Sequence, residues 1–208
     1  MFITFEGTDG TGKTTQIQKL REYFEAQGKT VVVTREPGGT PIAEKIRALL
    51  LDKSSVMDDV TEAYLYAAAR AEHVRAVVKP ALERGDVVLC DRYIDSSVAY
   101  QGFGRGLGAQ RVWEINTKAI EGCMPDRTYL LTLSQKDAED RVVHRGEKDR
   151  MESAGEAFSR RVADGFACIA AENPGRVLVV DAGRSVEEIA RLIAQDVAKL
   201  KTSGGAAR

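Results

Sequence analysis

A doubly wound α/β fold, with five parallel strands in one sheet and helices on both faces, is the architecture this sequence predicts. Three observations carry that expectation. Short β-rich runs alternate along the chain with longer helical patterns. The apolar residues in most of the short runs are nearly continuous instead of alternating, as in strands covered on both faces. A glycine-rich segment, GTDGTGKT from Gly7 to Thr14, joins the first such run directly to the first helical pattern.

Taken in order, the strand candidates are Phe2 to Phe5, Thr30 to Thr34, Asp86 to Cys90, Arg127 to Leu133 and Arg176 to Val180. Helical patterns fill the gaps: Lys13 to Ala26, Pro41 to Leu51, Asp58 to Glu83, Gln110 to Glu121, Gln135 to Arg145, Phe158 to Ala171 and Val186 to Leu200. Gly28, Gly85 and Gly122 follow three of them as C-terminal stops. Right-handed crossovers between parallel strands bring ligands to the carboxyl ends of the strands. Without an internal repeat or linker, residues 1–200 read as one domain, and the small, polar residues from Lys201 to Arg208 as a frayed tail.

Composition narrows the function classes. The 208 residues carry 30 basic and 31 acidic side chains, a net charge of -1, so no global basic field is available to hold a nucleic-acid polymer. No stretch approaches the roughly 18 apolar residues that span a bilayer, and Glu6 arrives too early for a signal-peptide core. Cys90, Cys123 and Cys168 are far apart and match no zinc-ligand or disulfide pattern, which points to a reduced, cytoplasmic setting.

Gly7 to Thr14 fits the pattern GxxxxGK[ST] in the strand-to-helix context that the pattern requires. Its residues are Gly7, Thr8, Asp9, Gly10, Thr11, Gly12, Lys13 and Thr14. The glycines let successive backbone N–H groups turn inward, and the helix opening at Lys13 adds its positive end. In such a loop the lysine reaches the β- and γ-phosphates of ATP and the hydroxyl of Thr14 ligates Mg²⁺. The loop alone does not separate a kinase from a GTPase or a switch ATPase. A guanine-reading NKxD is missing: the nearest segment, Ser134 to Asp137, has neither the Asn nor the Lys in place.

The third strand candidate delivers Asp91-Arg92-Tyr93 at its carboxyl end, beside the phosphate loop. Further on, Tyr66 and Arg70 stand four residues apart and share one helix face. By spacing alone, Tyr64, Leu65 and Tyr66 also fit simple packing, and Arg70 a solvated face. His73 and His144 have no partner pattern and read as structural or solvated, and Trp113 reads as packing.

These segments, FEGTDGTGKTT, TREPGGT (Thr34 to Thr40), IRALLLD (Ile46 to Asp52), YAAAR (Tyr66 to Arg70), DRYIDSSVAYQG (Asp91 to Gly102) and RGEKDRME (Arg145 to Glu152), resemble the thymidylate kinase family in its bacterial form. The resemblance implies a nucleoside monophosphate kinase fold with a short lid near residues 141–152. It implies phosphorylation of dTMP to dTDP by MgATP, in a homodimer built through the helices after Asp58. It also implies roles: Arg47 and Arg92 on the dTMP phosphate, Asp91 near Mg²⁺, Tyr66 stacked on thymine and Arg70 on its O4. Ser97 and Gln101 fall at the pyrimidine edge and sugar, Tyr100 against a ribose 2′-hydroxyl, Asp9 at the 3′-hydroxyl, and Glu36-Pro37 in the nucleotide pocket. Some family members place an arginine where this chain has Gly10. Here the lid is the expected source of that charge, with Arg145 first and Arg141 second.

Overall fold

The computed structural model describes residues 1–133 and 150–203. Its single sheet has five parallel strands in the order β2-β3-β1-β4-β5. They are β1 (Phe2–Glu6), β2 (Val31–Arg35), β3 (Val87–Asp91), β4 (Arg127–Thr132) and β5 (Val177–Asp181). All five expected strands are present, most of them displaced about one residue toward the C-terminus. Pairing explains the shift in β3, because Asp91 lies in register with both Phe5 and Arg35 and is drawn into the ladder.

Helices cover both faces. Ile17, Leu20 and Phe24 of α1 (Lys13–Glu25) and Ile189, Ile193 and Val197 of the last helix pack on Ile3, Phe5, Leu89, Tyr129 and Leu131. Phe2, Val88, Cys90 and Leu130 face the other way, onto Val74, Val78, Tyr93, Val112 and Phe166. That alternation is the period of two of a pleated strand with both sides buried.

α2 (Pro41–Leu51) opens on Thr40, whose hydroxyl accepts from the Ala43 N–H at 3.1 Å, with Pro41 set for the first turn. The single helix expected over Asp58 to Glu83 is instead α3 (Asp59–His73), a π turn (Val74–Val78) and α4 (Lys79–Glu83). Pro80 has no N–H to donate back, so the hydrogen-bond register loosens in the turn before it.

A further helix follows β3 where none was expected: α5 (Ile94–Ser97), continued by a π stretch (Val98–Gly104). Its opening N–H groups are capped from far away, since Glu6 Oε1 accepts from the N–H of Tyr93 at 2.7 Å and of Ser96 at 3.3 Å. α6 (Ala109–Ile120), α7 (Glu156–Glu172) and α8 (Val186–Ser203) are the remaining α-helices among the described residues. α8 runs three residues past the expected end at Leu200. Trp113 packs against the core, as expected. The helix expected over Gln135 to Arg145 lies outside the described residues.

Candidate active site

The carboxyl ends of β1, β2 and β3 open into one elongated cleft, phosphate loop at one end and helical pocket at the other. At the loop end, β1 gives way to Gly7, whose φ is 126° and whose backbone passes so close to Leu131 that an added Cβ would lie 2.2 Å from that carbonyl oxygen. Thr11 ties the loop to itself, its hydroxyl donating to Thr8 O at 2.9 Å. Lys13 is buried at the start of α1, and its Nζ donates to Gly7 O at 3.1 Å and Thr8 O at 3.0 Å. Burial, then the charge of Arg92, push its pKa down to about 8 against the pull of Asp9, Asp91 and Glu6.

Arg92 follows the end of β3 at φ 66°, a left-handed conformation that a non-glycine residue adopts only when its surroundings fix it. Here they do. Its N–H donates to Phe5 O at 2.9 Å, its Nη2 to Asp9 Oδ1 at 2.8 Å and its Nη1 to the Ser96 hydroxyl at 3.2 Å, while Tyr100 lies under the guanidinium at 5.2 Å. Burial opposes its charge, but Tyr100, Asp9 and Asp91 outweigh burial and raise its pKa. Beneath it, Glu6 is buried, and burial together with the charge of Asp95 pushes its pKa up to about 8.

The other end is built from three separate helices and the β2 loop. Arg70 is 2% exposed, its Nε donating to Glu36 Oε2 at 2.7 Å and its Nη1 to the Ser97 hydroxyl at 3.0 Å and to Asn116 Oδ1 of α6. The second oxygen of Glu36 meets His73 Nδ1 at 2.8 Å, and His73 Nε2 meets the Thr34 hydroxyl at 2.8 Å. An ionised Glu36 makes Nδ1 the donor, and in a neutral ring Nε2 is then the acceptor from Thr34. Tyr66 and Tyr100 stand half-buried on the same walls. Arg47 donates to Pro37 O at 3.0 Å, spanning the two ends.

Asp9, Glu36, Pro37, Arg47, Tyr66, Arg70, Arg92, Ser97, Tyr100 and Gln101, the residues expected on the acceptor side, therefore surround one cavity. Gly10, Gly12, Lys13, Thr14 and Asp91 border the adjoining space. Two expectations need refining: both oxygens of Glu36 are engaged by Arg70 and His73, and His73 has partners that its sequence context did not announce. Arg141 and Arg145 lie outside the described residues. Among the described residues no cluster of three or more His, Cys, Asp or Glu side chains could hold a metal by itself. Asp91 Oδ1, however, is a buried oxygen without a hydrogen-bond partner, and Thr14 borders the same space, a donor set suited to a hard cation that keeps most of its water.

Sequence reasoning missed Glu6, Glu62 and Asn116. Glu62 had a legible signal, since it precedes Tyr66 and Arg70 at successive steps of four on α3. It is 1% exposed and accepts from Gln101 Nε2 at 2.8 Å and Arg105 Nη2 at 3.0 Å. No local pattern marks Asn116, which reaches Arg70 from 46 positions away.

The thymidylate kinase family model matches residues 5–193. A thymidylate kinase from Exiguobacterium sibiricum is 47% identical over 197 residues, covering 94% of this chain and 93% of its own. One from Bifidobacterium longum is 48% identical over 204 residues, with 96% and 98% covered. The crystal structure of thymidylate kinase from Ehrlichia chaffeensis superposes with a TM-score of 0.78 at 36% identity, covering 95% of this chain and 98% of that one. With similarity to thymidylate kinases along nearly its whole length, in sequence and in structure, the chain belongs to the thymidylate kinase family.

Proposed function

We propose that this cleft transfers the γ-phosphoryl group of ATP to dTMP, giving dTDP for DNA synthesis, with the two ends of the cleft dividing the work. The observation that carries the assignment of residues is the continuity of the cleft: Asp9, Glu36, Arg47 and Arg92 border both the phosphate-loop end and the Arg70 end. A nucleotide whose base lies at one end presents its phosphate to the other.

The acceptor needs little activation. A 5′-phosphate with a second pKa of about 6 is already largely dianionic at pH 7. Catalysis is then positioning and charge compensation between two anions that repel each other. Arg47 and Arg92 take the dTMP phosphate, Arg92 being held in place by Asp9, Ser96 and its own fixed backbone. Lys13 exchanges its two carbonyl partners for the stronger charge-assisted bonds of ATP phosphate oxygens. Thr14, and Asp91 through water, would hold Mg²⁺, which would add further neutralisation of the phosphate charge. Gly10 offers no side chain, so the lid supplies the remaining cation, Arg145 first and Arg141 second.

At the base end Tyr66 stacks on thymine and Arg70 donates to O4, its guanidinium anchored on two sides by Glu36, Ser97 and Asn116. Ser97 and Gln101 serve the pyrimidine edge and the sugar, Tyr100 crowds a ribose 2′-position, Asp9 faces the 3′-hydroxyl, and Glu36 and Pro37 shape the pocket wall. We assign the working form to a cytoplasmic homodimer, in keeping with three cysteines that form no disulfide and with Ile42, Leu49 and Tyr64 exposed on α2 and α3. No helix among the described residues is long and apolar enough to cross a membrane.

The test is dTDP formation from ATP across a panel of nucleoside monophosphates. Stoichiometric ATP consumption with dTMP, and little with dCMP, dAMP or dGMP, is expected. Release of free phosphate without an acceptor would mark a switch ATPase instead.

A further inference from the structure

We infer that Glu62 is a specificity-positioning residue: by accepting from Gln101 Nε2 at 2.8 Å it fixes the amide of this cleft-lining residue with Nε2 on the carboxylate and Oε1 left without a partner, and so selects bases that carry a donor at N3. The inference rests on the assignment of Gln101 to the pyrimidine edge.

An amide has one end that donates and one that accepts, and the two are alike in shape. Here chemistry makes the choice. Each hydrogen-bond partner of the Glu62 carboxylate is a donor, Gln101 Nε2 and Arg105 Nε at 3.2 Å and Nη2 at 3.0 Å, and its ion-pair partner Arg150 Nη2 at 2.7 Å is a cation. Burial raises the pKa of Glu62, but the hydrogen bonds from Arg105 and Gln101 and the two arginine charges outweigh it and leave the pKa lowered. An ionised carboxylate only accepts, so rotating the Gln101 amide by half a turn would press oxygen against oxygen in a buried site. Arg105 is itself braced by the Phe158 ring at 4.7 Å, and Arg150 by Leu50 O at 2.7 Å, so the carboxylate cannot swing away cheaply.

The consequence is an acceptor with nothing to accept. Gln101 is 1% exposed, lines the cleft, and its Oε1 is buried without a hydrogen-bond partner. Such an oxygen costs free energy until a ligand donor meets it. Thymine and uracil carry N3–H; cytosine carries an N3 lone pair, which would face Oε1 as acceptor against acceptor. Glu62 thus acts at one remove, touching no substrate, and its role is distinct from that of Arg70, which reads the neighbouring O4.

Replacing Glu62 by Gln tests this, because the amide introduced there can either accept from or donate to the Gln101 amide and frees it to turn. The readout is the ratio of dissociation constants for 5-methyl-dCMP and dTMP, each measured by competition in the intact enzyme. The two ligands share the methyl group and sugar, and the Arg70 contribution to their ratio is common to all variants. Glu62→Gln is expected to lower the ratio by about tenfold, one hydrogen bond's worth of discrimination. A purely structural role would weaken both ligands alike and keep the ratio, which overturns the inference. If Glu62→Gln does not fold because the buried carboxylate no longer compensates Arg105 and Arg150, Glu62→Gln with Arg105→Gln carries the same readout with one of those charges removed. Gln101→Ala separates the layers. A ratio unchanged from the wild type in Gln101→Ala overturns the pyrimidine-edge assignment itself; a ratio that falls there but is unchanged in Glu62→Gln overturns only the part given to Glu62.

Discussion

The two ends of the cleft are built on different plans. At the phosphate end the chemistry comes from a few residues in two short stretches, Gly7 to Thr14 and Asp91 to Arg92, and the backbone does much of the positioning: positive-φ glycines, carbonyls on Lys13, a left-handed Arg92. At the base end a single guanidinium is held by residues 34, 27 and 46 positions away, on the β2 loop, α5 and α6 respectively. The first plan concentrates charge on a loop that folding requires little of. Under the proposed assignment, the second makes substrate recognition and core packing the same set of bonds.

If that contrast holds, the two ends should fail differently. Lys13→Met should give the largest effect, a loss of phosphoryl transfer on the order of 10³-fold or more, with thermal stability nearly unchanged, because two carbonyl bonds and a loose 3.9 Å ion pair with half-exposed Asp9 go while the apolar stem is replaced in kind. Steady-state turnover paired with a melting curve reads both at once. Arg70→Ala should fail on both counts. It strips dTMP of a charged donor and leaves the buried Glu36 carboxylate with half its partners, a loss of about 3–5 kcal/mol in stability. Chemical denaturation and calorimetric titration of dTMP and ATP check this, with ATP affinity expected to hold. Equal stability losses in the two variants would break the comparison.

The same contrast governs what the sequence made legible. Phosphate-end chemistry is local, so a fixed spacing between a strand and a helix singled out Lys13 and Thr14, and the carboxyl end of a buried strand singled out Asp91, from the sequence alone. Tyr66 and Arg70 were legible as a pair because four residues is one helical turn, and Glu62 extends the same stripe by one step. Asn116 and Glu6 were not, since each acts on a partner 46 to 90 positions distant and neither belongs to a local pattern. The helix carrying Ser97, Tyr100 and Gln101 was missed for a related reason: its start is capped by Glu6 from the first strand, where a local reading looks for Ser, Thr or Asp beside the helix.

A smaller effect sharpens the picture of the phosphate end. With its pKa held down to about 8 in the free enzyme, Lys13 is partly deprotonated at pH 8.5, and polyphosphate binding should restore its charge. ATP binding at that pH should therefore take up protons, seen as a dependence of calorimetric enthalpy on buffer ionisation. In the pH profile of kcat/KM for ATP, a falling limb near pH 8 is expected from the same group. Zero proton uptake would mean that Lys13 stays charged without ligand and that burial is not what tunes it.

Glu6 gives the smallest effect at low pH and the most exacting test. Its pKa, raised to about 8 by burial and by the charge of Asp95, means that the folded protein keeps this carboxyl protonated where the unfolded chain, at about 4.5, does not. The folded state then binds the extra proton between those values, so the stabilisation is fully present below about pH 4.5 and is lost as pH rises through 8. Glu6→Gln imitates the protonated form: its oxygen can still accept from the Tyr93 and Ser96 N–H groups, and its amide can donate to the Ser96 hydroxyl that in turn receives Arg92. At pH 5 the variant should match the wild type to within about 1 kcal/mol, the worth of an ordinary hydrogen bond. Toward pH 8 the wild type should lose stability relative to the variant. Unfolding curves across that range decide it, and a wild type that gains on Glu6→Gln as pH rises would show a carboxylate ionised throughout, held by its donors and Arg92 more strongly than burial opposes it.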